Sequence, residues 1–180
     1  MSAYYFDDEE EGLARETSHP FFVEHATADF YFDGGDDFSP FGNDTGHDTL
    51  RDLEEWYQER RAGEKAATFL RHLIQSWEFD LTYLAVTEPL QLDAIEPDTQ
   101  YLNSSIDQAI IAIVFGQFKI AGKADKAMLS MAEAAFRRQR YIAEKAQKRQ
   151  LNPWEHAAEY FSKVEILEAD LATMANKKAR

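Results

Sequence analysis

The sequence predicts an all-α fold, a bundle of about five helices preceded by an irregular segment that is rich in acidic and aromatic residues. After about residue 40, apolar residues recur every three or four positions, which is typical of amphipathic helices. Turn residues separate these stretches, whereas residues 1–40 show no helical period. We therefore expect one domain, in which residues 1–40 pack on a helical bundle formed by residues 41–180.

The stretch 39–50 marks the change from the irregular N-terminal segment to the helical bundle. Pro40 and Gly42 predict a turn, and the polar residues that follow have short side chains that cap helix starts. Asp44 is our expected cap, although Asn43 and Thr45 are alternatives. The first long helix should begin at Thr45 or Asp48 and run to about residue 61, with Gly63 as its stop.

Two further helices follow from the same reasoning. Residues 66–77 carry a single apolar stripe, which predicts a helix packed against the first as a hairpin. Residues 80–99 form a connecting segment. Asn103 or Ser104 should then cap a central helix, because Ser104 and Asp107 have the spacing of a capping box. This helix is apolar nearly all round, and Gly122 should end it.

The C-terminal part predicts two more helices. One should span about residues 124–150, and the other should start at Pro153 with Asn152 as its cap and reach about residue 175. The first of these carries a basic run of six residues. We expect the run to pair with the acidic N-terminal third of the chain or to be solvated, rather than to bind a partner. Its members are Arg137, Arg138, Arg140, Lys145, Lys148 and Arg149.

The N-terminal segment contains too many aromatic residues for a tail that packs on nothing. We expect it to cover the helical body, with short strands near residues 21–23 and 29–32 forming a hairpin and Gly34 and Gly35 turning the chain after the second.

Charge is the strongest guide to function. The net charge is −14, and residues 1–59 alone hold seventeen acids against two bases. Such a field repels nucleic acids and anionic membranes and attracts a basic protein partner. The absence of Cys excludes disulfides and thiolate catalysis. The longest apolar run is far shorter than the roughly 20 residues that span a bilayer, so we expect a cytoplasmic protein.

One group of residues, formed by Asp44, His47, Asp48 and Asp52, could handle a metal or a proton. Asp44, His47 and Asp48 combine carboxylate and imidazole ligands, which suit zinc, manganese or iron in a metal-dependent hydrolase. A capping role for Asp44 is favoured, because no second ligand cluster occurs in the chain. No phosphate-binding loop or nucleophile motif is present. We therefore expect no cofactor, no resident metal and no catalytic residue.

The motif formed by Phe41, Asn43, Asp44 and Asp48, continued by Leu50 and Leu53, resembles the opening motif of the DUF4259 family of small bacterial proteins. The resemblance covers about residues 38–138 and continues in residues 101–102. It implies an all-helical fold and supplies no catalytic residue.

These observations favour a non-enzymatic acidic binding protein, in the concrete form of a bacterial immunity or antitoxin-type protein that neutralises a basic toxin. A DNA-mimic inhibitor and the metal-dependent hydrolase are the alternatives. The predicted partner-binding face consists of Asp33, Asp36, Asp37, Glu54, Glu55 and Glu59.

Overall fold

The computed structural model describes residues 4–177, with the backbone alone at residues 98, 100 and 101. Within this part the fold is all-α, as predicted, and contains no strand. Short 3-10 helices occupy Asp29–Phe32, Leu81–Ala85 and Pro89–Ala94. The α-helices are α1 (Pro20–His25), α2 (Asp44–Glu59), α3 (Ala66–Ser76), α4 (Pro97–Ala121), α5 (Lys126–Gln147) and α6 (Ala157–Asn176).

Helix α4 lies at the centre of the bundle and contacts α1, α2, α3 and α5. From Ile106 to Ala121 nearly every side chain is buried, which confirms the prediction of a helix that is apolar on most sides. Gly116 allows α2 to approach closely, because a Cβ at this position would lie 2.7 Å from a methyl group of Leu53. Gly122 ends the helix as predicted, in the left-handed conformation with φ +67°.

Residues 4–40 pack on the bundle, but the predicted hairpin is wrong. Residues 20–25 form α1 and residues 29–32 form a 3-10 helix. Pro20 occupies the first helical turn, and the ring of His19 accepts a hydrogen bond of 3.1 Å from the backbone N–H of Phe21. Pro20 has no N–H group and His19 accepts that of Phe21, so both features stabilise the start of a helix without help from distant residues. The aromatic side chains Phe22 and Tyr31 are fully buried. Residues 1–3 lie outside the described part.

A buried lysine ties the N-terminal segment to α4. The ammonium group of Lys119 is inaccessible to solvent and lies 2.7 Å from a carboxylate oxygen of Asp7 and 3.4 Å from one of Glu54. Backbone hydrogen bonds flank this site, since the N–H of Tyr5 donates to Ile120 and that of His19 donates to Lys119. Two carboxylates around one buried ammonium compensate its charge. The segment is thus anchored by charge as well as by aromatic packing.

A buried carboxylate on α6 also anchors the N-terminal segment. Asp170 accepts hydrogen bonds from the backbone N–H of Thr27 at 2.9 Å and from the hydroxyl of Tyr31 at 3.0 Å. The hydroxyl of Thr27 also donates to it. Burial, with the charge of Asp170 adding, raises the pKa of Tyr31, so this hydroxyl stays protonated and remains a donor.

The start of α2 differs from the prediction by one residue. Asn43, not Asp44, is the cap: its side-chain oxygen accepts a hydrogen bond of 2.8 Å from the N–H of Gly46. Its amide nitrogen donates to the carbonyl of Ser39 at 3.1 Å. Asn43 can bond both the N–H of Gly46 and the carbonyl of Ser39, because an amide donates and accepts hydrogen bonds, whereas a carboxylate only accepts them. Asp44 is the first residue of the helix, where the dipole favours a negative charge.

Helix α4 begins six residues before Asn103, the first of the two predicted caps. Pro97 occupies its first turn, where the missing N–H removes no helical hydrogen bond. Asn103 and Ser104 therefore lie inside the helix, and the predicted capping box between Ser104 and Asp107 is wrong. The spacing of a capping box also occurs in helix interiors, so the pattern alone did not exclude this outcome.

Asp107 instead belongs to a buried ion pair with Arg138 of α5, in which both side chains are at most 1% exposed. The guanidinium donates to one carboxylate oxygen through Nε at 2.9 Å and to the carbonyl of Val86 at 2.7 Å. Tyr83 and Gln139 donate to the other oxygen, each at 2.8 Å. Burial would lower the pKa of Arg138, but the Asp107 carboxylate outweighs it and raises that pKa.

The basic run on α5 does pair within the chain, but not with the N-terminal third. Arg138 pairs with Asp107, Lys145 lies 2.6 Å from Asp93, and Arg140 pairs with Glu168 of α6. These partners lie in the middle and C-terminal parts because α5 packs on α4, α6 and residues 89–94.

The last helix starts four residues later than predicted, at Ala157. Asn152 adopts φ +50°, which is not the extended conformation of a helix cap. The N–H of Trp154 donates to the carbonyl of Ala146, so residues 148–156 close the end of α5 instead of starting α6. In the part of the chain described, no helix has the length and apolarity that crossing a membrane would require.

Candidate functional site

Four carboxylates lie along one face of α2. Asp44, Asp48, Asp52 and Glu55 follow one another at intervals of four, four and three residues, which places them above one another on successive turns. All four side chains are exposed, whereas the opposite face of the helix is buried. We call the depression that they line, together with Trp77 and Phe79, the acidic groove.

The second wall of the acidic groove is aromatic. Trp77 ends α3 and Phe79 follows it, and their ring centroids are 5.8 Å apart. Both rings are half-buried. The groove has a volume of about 610 Å³. It therefore offers aromatic surface directly beside carboxylates, a combination that suits the apolar stem and charged head of lysine or arginine.

The four carboxylates are not neutralised by ion pairs with other described residues of the chain. Among the described residues none of them makes an ion pair, and Arg51 is the one basic residue lining the groove. Partial burial raises the pKa of the Asp52 carboxyl, the charges of Asp48 and Glu55 raise it further, and Arg51 opposes them. The carboxylates in the groove thus repel one another.

Replacing Asp52 with asparagine should stabilise the protein at neutral pH. Because the folded state raises the pKa of this carboxyl above its unfolded value, its ionised form is disfavoured in the folded protein. The gain should be small, about 0.5 kcal/mol or less at pH 7 for this exposed group. It should disappear as the pH falls to about 3, where the carboxyl is protonated in both states. Urea unfolding at both pH values measures it.

The control for this substitution is Glu144→Gln, which removes one exposed acid from α5. It separates the local repulsion in the groove from the general effect of lowering the net charge. A lower stability of Asp52→Asn at pH 7 would contradict the sign of the pKa shift.

A larger cavity adjoins the acidic groove. It has a volume of about 1160 Å³ and lies between residues 37–45, α4, α5 and the start of α6. Phe38, Trp154 and Tyr160 form one side of it, with ring centroids 5.4–5.8 Å apart. Both depressions are lined by Asp44, Thr45 and Ser105, so they meet at the start of α2. We call this second depression the large cavity.

The six residues of the predicted partner-binding face are not equally available. Glu54 is buried and faces Lys119. Burial raises the pKa of its carboxyl, although the N–H of Asp7 and the charge of Lys119 oppose the shift. Asp36 lies 2.6 Å from the ammonium of Lys163, with its side chain only 12% exposed. These two carboxylates therefore do not belong to an open acidic surface.

The other four predicted residues are exposed, but they lie in different places. Asp37 lines the large cavity, Glu55 lines the acidic groove, and Asp33 and Glu59 line neither. The sequence analysis named Asp44, Asp48 and Asp52 as members of a possible metal- or proton-handling group, with Asp44 as a helix cap, and did not assign them to the partner-binding face. The signal that could have found them is the helical spacing from residue 44 to residue 55.

The residues of the metal hypothesis sit together at the start of α2. Asp44, His47 and Asp48 are exposed on its first turns. Among the side chains that the structure describes, no group of three or more His, Cys, Asp or Glu residues is placed so that it could hold a metal ion.

Comparison with known proteins shows a similarity to a bacterial protein. The chain is similar to a protein of Escherichia coli (strain K12) designated Uncharacterized protein YfeS, with 35% identity over 145 residues. The matched part makes up 79% of this chain and 59% of the E. coli protein. The chain therefore spans less than two thirds of that protein's length. No family model and no solved structure matches the chain. The resemblance to the DUF4259 family therefore stays a prediction, and the relative's designation names no activity.

Proposed function

We propose that this protein is a non-enzymatic binding protein that docks a basic protein partner in its acidic groove. The observation that carries the proposal is the row of four exposed carboxylates on α2, which have no ion-pair partner among the described residues and face an aromatic wall. Internal ion pairs neutralise other acids, such as Asp36 and Asp107, but not these four.

The chemistry of the groove favours a cationic protein segment over other ligands. The net charge of −14 attracts basic partners over long distances and raises their rate of association. At contact, lysine or arginine stems can pack on Trp77 and Phe79 while their charged groups meet the carboxylates. The concrete form that we propose is an immunity or antitoxin-type protein that neutralises a basic toxin.

The DNA-mimic alternative has less support. A duplex presents the phosphates of two strands, so a mimic needs carboxylates in two rows. The acidic groove supplies one row, and its second wall is aromatic.

The proposal is tested by titrating a short oligolysine peptide into the protein. We expect binding that weakens steeply between about 0.01 M and 1 M salt, over which the Debye length falls from roughly 30 Å to 3 Å. Replacing all four groove carboxylates with amides should lower the affinity about fourfold or more, since each exposed ion pair contributes about 0.2–1 kcal/mol. Isothermal titration calorimetry measures both effects.

The matched control removes four negative charges outside the groove, by changing the exposed acids Glu9, Glu10, Glu11 and Glu16 to glutamine. It should keep most of the affinity. Equal losses in the two variants would show that net charge alone drives binding and would overturn the groove as the site. A pull-down with the product of the neighbouring gene, at low and at high salt, then tests for a protein partner.

A further inference from the structure

We propose that the acidic groove and the large cavity form one continuous docking site for a basic protein segment that carries a large apolar side chain next to its lysines or arginines. The inference rests on the proposed function and adds the recognition of an apolar anchor. The two depressions meet at Asp44, Thr45 and Ser105, so a bound segment can pass from one to the other without leaving the surface.

The large cavity has the chemistry of an anchor pocket. Its aromatic side is formed by Phe38, Trp154 and Tyr160, and Ile111 adds aliphatic surface. Leu102, 51% exposed, also lines it and leaves apolar surface in contact with water. Burying a large apolar side chain against such a surface is favourable, and buried anchors contribute a large share of the energy of many interfaces.

Charge decides which occupant fits. The large cavity is lined by Asp37, Asp44 and Glu155 against one arginine, Arg149. The adjoining groove adds the other acids of α2. A second copy of this chain would bring another net charge of −14 to these acids and would be repelled. A purely apolar segment would leave the carboxylates without counter-charges. A segment that combines cationic residues with an apolar anchor can pair with the carboxylates of the acidic groove and fill the large cavity.

The experiment compares two synthetic peptides that differ in one residue. The first has a leucine flanked by two lysines on each side, and the second has serine in place of the leucine. We expect the leucine peptide to bind the full chain about tenfold more tightly, because burial of a leucine side chain is worth that factor or more. Both affinities should fall with salt. Calorimetry gives the affinities, and tryptophan fluorescence reports the large cavity through Trp154.

Two surface leucines provide matched variants. Leu102→Ser changes the lining of the large cavity and should reduce the advantage of the leucine peptide to less than about threefold. Leu90→Ser, at a position 72% exposed and outside both depressions, should leave the tenfold advantage intact. The part of the fluorescence change that the leucine peptide adds to that of the serine peptide should be absent from Trp154→Phe.

The outcomes separate the two proposals. Equal, salt-sensitive binding of both peptides would overturn the apolar anchor and leave the proposed function standing. An advantage of the leucine peptide that survives Leu102→Ser would also overturn it, because the leucine would then bind elsewhere. No binding of either peptide at low salt would count against the proposed function itself.

Discussion

Replacing Arg138 with methionine should lower the free energy of unfolding by about 3–5 kcal/mol, the cost of leaving one member of a buried ion pair without its partner. Methionine keeps much of the side-chain length but removes the charge that faces Asp107. The Asp107 carboxylate is fully buried and would keep only Tyr83 and Gln139 as donors. The carbonyl of Val86 would lose its donor as well. Urea unfolding at neutral pH measures the loss.

Arg137→Met is the matched control, because it makes the same substitution at an exposed neighbouring position of α5. It should change stability by no more than about 0.5 kcal/mol. The double variant Asp107→Leu with Arg138→Met should be more stable than Arg138→Met alone, since it removes the uncompensated charge. An Arg138→Met protein as stable as the Arg137→Met control would contradict the role of this ion pair.

Replacing Gly46 with alanine should destabilise the protein by about 3 kcal/mol, although the same change in an exposed helix stabilises by about 1 kcal/mol. A Cβ at Gly46 would lie 2.2 Å from the carbonyl oxygen of Pro40. That oxygen belongs to the backbone, so it cannot turn away as a flexible side chain would. The clash would displace residues 39–43 and with them the side chain of Asn43 that caps α2. Thermal or urea unfolding tests the sign of the effect.

Gly34→Ala is the control for this prediction. Gly34 lies in a turn before α2, and a Cβ there would meet no atom within 4 Å. This variant should keep the stability of the original protein within about 0.5 kcal/mol. If Gly46→Ala were the more stable of the two variants, the close approach of Pro40 to α2 would be wrong. The pair of variants therefore compares a position where the added methyl group meets the backbone with one where it has free space.

The central helix shows what the sequence can predict. Its apolar residues from Ile106 onward and the stop at Gly122 are local signals, and both are confirmed. The helix starts were less predictable, because several residues with capping side chains stood side by side. The choice of Asn43 over Asp44 depends on the carbonyl of Ser39, which needs a donor that only the amide supplies. The hairpin failed since aromatic residues alone do not distinguish a strand from a short helix.

The candidate site was predictable only in part. The spacing of Asp44, Asp48, Asp52 and Glu55 is visible in the chain, and with it one acidic helix face. That Trp77 and Phe79 stand across from this face depends on how α3 packs, which no local pattern reveals. The burial of Glu54 was hidden for the same reason, because its partners Asp7 and Lys119 are distant in the chain.

The anchoring of the N-terminal segment has a consequence for how this protein is made. Asp7 is synthesised before Lys119, which carries its counter-charge, and Thr27 is synthesised 143 residues before its partner Asp170. At about 5–20 residues per second, a ribosome needs on the order of ten seconds or more to supply that carboxylate. The N-terminal segment, with its aromatic side chains, therefore reaches its final place only after α6 has been synthesised.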